Sequence, residues 1–96
     1  MLHLISQSPI ELAILERIAH GDAVVCLDNA VLNLLQAGRL STALTRLLAT
    51  SRIYVLQTDI ALRGIAVEEL LSGIEVIGYS ELVSLTVDNP HIQSWS

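Results

Sequence analysis

Ninety-six residues, 52% of them apolar and only 16% charged, describe one small domain, residues 1–96, with more apolar material than a core of that size holds. The expected outlet is a contact surface with another chain. The net charge is −5 and the five basic residues, all arginine, are dispersed at 17, 39, 46, 52 and 63, which argues against the clustered positive charge that nucleic-acid binding needs. No apolar run reaches the roughly 18 residues of a membrane span, no basic leader opens the chain, and the lone cysteine has no disulfide partner, so the expected setting is the cytoplasm.

Four short runs read as strands: Leu2 to Ile5, Ala23 to Leu27, Ile53 to Leu56 and Ile74 to Ile77. Each is almost continuously apolar rather than alternating, as a parallel strand covered on both faces requires. Helical patterns fall between them. After the first strand, Ser8, Pro9 and Glu11 fit the N-cap, N1 and N3 positions of a capping box. Ile10, Ile14 and Ile18 then repeat every four residues as a buried face, and Gly21 suits the helix end after His20. A second helical region starts near Ala30 and breaks at Gly38; Leu40, Leu44, Leu47 and Leu48 give the next helix its apolar side. Thr58 or Asp59 is expected to cap a short turn ending at Gly64, Ala66 to Leu71 to form another short helix stopped by Gly73, and a last helix to run from Ser80 to Val87. The expected fold is α/β: a small, doubly wound, mostly parallel sheet of order about 2-1-3-4, with helices on both faces.

Three segments carry a family likeness: Met1-Leu2-His3-Leu4-Ile5-Ser6-Gln7-Ser8-Pro9, Thr58-Asp59-Ile60-Ala61-Leu62-Arg63-Gly64, and Ile74 through Val87 with Trp95 beyond. In order and spacing, nearly end to end, they resemble the DsrH/TusB family, small subunits of sulfur-relay complexes. The resemblance implies persulfide transfer through cysteine, with DsrE/TusD-like and DsrF/TusC-like chains as partners and an upstream persulfide carrier as the source. The DsrE/TusD-type partner carries the persulfide cysteine in the resembled complexes. Some DsrH members have a cysteine in the first helix; here Ile10 to His20 has none, which places this chain nearer the TusB type and 2-thiolation of the tRNA wobble uridine.

The only cysteine, Cys26, stands in Ala23-Val24-Val25-Cys26-Leu27, where a free thiol acts as a small hydrophobe and burial raises its pKa. It reads first as a core residue and second as a transient sulfur acceptor. His3, His20 and His91 are too scattered for a zinc site, with His3 expected as a hydrogen-bonded strand residue. No nucleophile elbow, Gly-x-Gly-x-x-Gly or Walker pattern is present, so no catalytic residue and no cofactor are assigned. Asp59 and Arg63, four apart, suit an ion pair or, by the resemblance, a partner contact. Trp95 implies a docked tail, on this chain's own sheet or on a partner; with Tyr79 it completes the candidate interface residues.

The leading expectation is a non-catalytic subunit of a TusBCD/DsrEFH-like complex. Its rivals are Cys26 as a sulfur carrier in a sulfur-oxidation complex, and a stand-alone homo-oligomeric α/β binding module.

Overall fold

The apolar runs become strands because each is covered on both sides. In the computed structural model, which describes residues 1–96, Leu2–Ile5 (β1), Ala23–Cys26 (β2), Arg52–Leu56 (β3) and Glu75–Ile77 (β4) are joined by a fifth strand, Ile92–Trp95 (β5). All pairings are parallel, in the order β4-β3-β2-β1-β5. β2 is the central strand, and its Val24, Val25 and Cys26 are all 1% exposed or less.

The chain steps one way across the sheet from β1 to β4, then returns to the far side of β1. Right-handed crossovers put the first three connections on one face and the returning one on the other. The first face is covered by α1 (Leu12–Glu16), a 3₁₀ segment (Asp28–Leu34), α2 (Ser41–Leu48) and α3 (Gln57–Leu62). Its sixteen-residue core includes Ile5, Ile14, Cys26, Val31, Leu44, Val55 and Ile60. α4 (Tyr79–Asp88) covers the second face alone, with Leu82 and Leu85 against Leu2, Val25, Tyr54, Leu56 and Ile77.

The α/β class and two-faced parallel sheet are as expected; the order 2-1-3-4 is not. β1 is an interior strand, but its second neighbour is β5 instead of β3. β5 reads Ile-Gln-Ser-Trp and three of its four side chains are exposed, so it lacks the continuous apolar run that marks the buried strands. The pairing Leu2↔Ile92 to Ile5↔Trp95 fixes the chain's end on its own sheet.

The first helix also departs from its capping box. It starts at Leu12, and no side chain caps the Glu11 N-cap position. The amides ahead of it are taken by other acceptors: Glu11 N–H donates to Gln7 Oε1 (3.3 Å) and Ile10 N–H to Asn33 Oδ1 (3.4 Å). Ser8 is exposed and accepts only a long contact from Asn33 Nδ2 (3.5 Å). Ile10, Ile14 and Ile18 are buried as read, although the helix ends at Glu16, before His20 and Gly21. The region after Ala30 is 3₁₀, and Ala66 to Leu71 keeps only a 3₁₀ turn, Val67–Glu69. Leu70 instead bridges Leu35. α4 opens one residue early, where the Glu81 carboxylate accepts the Gly78 N–H (2.9 Å).

Both ends of the chain meet at one buried histidine. His3, 2% exposed, accepts at Nδ1 from Trp95 Nε1–H (3.2 Å). An indole nitrogen only donates, so the ring proton sits on Nε2, which donates to Asp22 Oδ2 (2.9 Å). The Ala19 amide and the terminal amine of Met1 also donate to that carboxylate, at 3.0 and 3.2 Å. Burial pushes the Asp22 carboxyl up, but the bonds from His3, Ala19 and the amine outweigh it and hold the group below its ordinary 3.8. A carboxylate lowered on folding contributes stability above the ordinary range and loses it as pH falls through the folded value. Asp22→Asn keeps an acceptor for His3 but has no carboxylate to protonate. Urea unfolding at pH 7 should find it about 1–2 kcal/mol less stable than wild type, with the gap closing as pH drops below 3.8.

Candidate interface and the lone cysteine

Cys26 ends the central strand, beside Ile5 of β1 and Val55 of β3 in register. Parallel partners point the same way, so its thiol lies in the first-face core among Ile5, Val31, Val55 and Ile60, where it belongs to one buried cluster. It is 1% exposed, and burial pushes the thiol up to about 12. At neutral pH it is a protonated, inaccessible group. The thiolate, the form that attacks or accepts sulfur, is suppressed by its surroundings.

Two residues beyond β2 the backbone turns sharply: Asp28 has φ +50°. Thr58 or Asp59 was expected to cap the turn ending at Gly64, but Asp59 lies in the first turn of α3 and no side chain caps that helix. The Asp59 Oδ2 instead accepts the Asp28 N–H (3.0 Å), tying the ends of β2 and β3 together. Arg63 was expected to pair with Asp59, and that contact is only 4.0 Å. The guanidinium is held chiefly by Asn29 Oδ1, which accepts from Nε (3.1 Å) and Nη2 (3.0 Å), and by the Asp59 carbonyl, which accepts from Nη1 (2.9 Å). Gly64 then takes φ +68°, a conformation open to glycine, as Ile65 N–H closes α3 on the Ile60 carbonyl (3.0 Å). Asp59 and Arg63 thus form a knot at the carboxyl ends of β2 and β3, and both are half-buried.

Tyr79 and Trp95 lie apart from this knot. Tyr79 opens α4 and is 64% exposed. Trp95 lies edge to edge with His3, the ring centroids 6.4 Å apart and the planes 17° from parallel, and the Arg17 guanidinium sits 5.9 Å from the indole centroid. Neither the Trp95–His3 contact nor the Arg63–Asn29 contact was anticipated. The second had a signal, since Asp28-Asn29 and Asp59 follow adjacent strands. No three His, Cys, Asp or Glu side chains converge as a metal site. No helix is long and apolar enough to cross a membrane. No surface groove is lined by Asp59, Arg63, Tyr79 or Trp95. One groove is lined by Leu12, Leu15, Ala43 and Leu47 between α1 and α2, and another by the turns around Gly21 and Ser51.

The family described as DsrH like protein is matched by residues 7–92. The chain belongs to the DsrH family. This agrees with the likeness in the three sequence segments. Among its relatives is the protein named TusB of Pectobacterium parmentieri, 35% identical over 99 residues that take in 99% of this chain and 100% of the relative. Another is the TusB protein of Cronobacter sakazakii, 32% identical with the same coverage. Two solved structures share the fold. The protein of unknown function MTH1491 from Methanobacterium thermoautotrophicum superposes with a TM-score of 0.78 at 15% identity, over 97% of this chain and 95% of that one. The ychN protein of E. coli gives 0.73 at 16%, over 98% and 97%.

For this DsrH-family chain, Cys26 should resist thiol reagents in the native state and react at the rate of global unfolding. Cys26→Ser should cost about 1–3 kcal/mol, because a hydroxyl would be buried with no assured partner. Cys26→Ala, which deletes one small apolar group, should cost about 1 kcal/mol. Labelling kinetics and urea midpoints check both.

Proposed function

We propose that this chain is a non-catalytic subunit of a TusBCD/DsrEFH-like sulfur-relay complex, assembled in the cytoplasm with DsrE/TusD-like and DsrF/TusC-like chains. The relayed sulfur ends as the 2-thio group of the tRNA wobble uridine. Membership of the DsrH family and the TusB name of its relatives support the relay.

The observation that carries the non-catalytic role is the sealed thiol of Cys26. In persulfide transfer the acceptor thiolate attacks the outer sulfur of the donor persulfide. The new S–S bond forms as the donor's S–S bond breaks, and the donor leaves as a thiolate. The acceptor therefore needs both ionisation and a clear line of approach. Cys26 is denied both, so the accepting cysteine belongs to a partner.

This chain's contribution is surface. The Asp59–Arg63 knot, Tyr79 and Trp95 are the proposed contact residues, and tRNA contact falls to other subunits. Four of the five arginines already have neighbours within the chain. Arg17 lies by Trp95, Arg39 donates to the Ile10 carbonyl, Arg52 sits beside Tyr54 and Glu75, and Arg63 is held by Asn29.

Co-expression with DsrE- and DsrF-like chains should yield one complex containing all three. Replacing wild type by Cys26→Ala in that complex should leave sulfur transfer unchanged. Transfer abolished by Cys26→Ala, with assembly intact, would reassign this chain as a carrier.

A further inference from the structure

α4 is the only helix on the second face of the sheet, yet none of its ten residues is buried. On the first face α1, α2 and α3 each supply at least one buried side chain: Ile14 and Leu15, Leu44, and Ile60. Tyr79, Val83 and Val87 recur every four residues, so they form one strip along the helix. They are 64%, 58% and 76% exposed. Leu82 and Leu85, turned toward the sheet, are themselves only partly covered. A helix that is apolar toward both sheet and solvent is built to lie between two bodies.

Charge identifies the second body. The charged side chains of α4 are Glu81 and Asp88, and from Gly64 to the last residue there is no lysine or arginine. Arg52, whose strand position puts it on this face, lies beside Glu75 and Tyr54. Around the helix, Ser80 and Ser84 follow the apolar strip, and Glu81 and Asp88 follow them. A second copy laid face to face would set acid against acid, which disfavours pairing.

We infer that the Tyr79–Val83–Val87 strip of α4 is the docking surface for a different protein chain, one that presents an apolar strip bordered by arginine or lysine. This rests on the hetero-oligomer reading above and identifies which face of this subunit the assembly covers.

Two substitutions test it without weakening the helix. Val83→Gln replaces a β-branched residue with a better helix former. Asp88→Arg puts a cation in the last turn, where the helix dipole favours it. Both isolated variants should unfold no more easily than wild type.

In complexes with the DsrE- and DsrF-like chains, Val83→Gln should raise the dissociation constant about tenfold. Asp88→Arg should raise it about three- to tenfold and flatten its salt dependence. Backbone amides of residues 79–88 should exchange more slowly in the wild-type complex than in the isolated chain. Wild-type affinity in both variants, or unchanged exchange in α4 on assembly, would overturn this surface while leaving the hetero-oligomer reading standing. Concentration-dependent protection of α4 in the isolated chain would assign the face to a second copy and overturn the basic partner. Failure of the wild-type chain to form any complex with these chains would remove the hetero-oligomer reading and this surface with it.

Discussion

A five-stranded parallel sheet has two apolar faces, and a chain of ninety-six residues has to cover both. Here the cover is divided unequally. Three helices and a long 3₁₀ segment pack on one face, and ten residues of α4 are left for the other. The first face is therefore closed, and Cys26 within it is buried with its thiol held protonated at neutral pH. The second is covered by a helix that stays half apolar toward solvent. Both consequences point toward the same role, in which the thiol is sealed and the surface is left to be shared.

The returning connection makes the architecture hold at its ends. α4 must cross the whole sheet to deliver β5 beside β1, and the short edge strand it delivers is mostly exposed. What fixes it beyond backbone pairing is the bond from Trp95 to His3, itself anchored by Asp22 at the start of β2. With both ring nitrogens satisfied, a buried histidine becomes a structural bridge between three strands. A single unpaired group there would carry the full cost of burial without a partner.

The strands were legible where burial is two-sided, because that demands continuous apolar runs and Leu2–Ile5 or Ile53–Leu56 supply them. β5 was not, since an edge strand covered by a neighbour on one side tolerates Gln93 and Ser94; the order 2-1-3-4 failed separately, because it set β1 between β2 and β3, whereas β2 lies between β1 and β3. The Ser8-Pro9-Ile10-Glu11 pattern suggested a capping box, but Asn33, 23 residues away, and Gln7 took the amides first. The local Asp59–Arg63 pair is kept at 4.0 Å, but Asn29, 34 residues from Arg63, adds two shorter bonds to the guanidinium. Asn33 and Asn29 are long-range partners of which local spacing carries no trace, whereas Gln7 is a local competitor four residues from Glu11. Cys26 was legible because its strand neighbours are all apolar. Trp95 was legible as a docked residue, though its partner, 92 positions away, was not.

The central claim is that this subunit lends surface to a relay whose sulfur never rests on it. The most direct measurement is the intact mass of each chain after the assembled complex is exposed to an upstream persulfide donor. A partner cysteine should gain about 32 Da, one sulfur on a thiol, while this chain keeps its unmodified mass. A stoichiometric gain of that size on this chain, mapped to Cys26, would contradict the account.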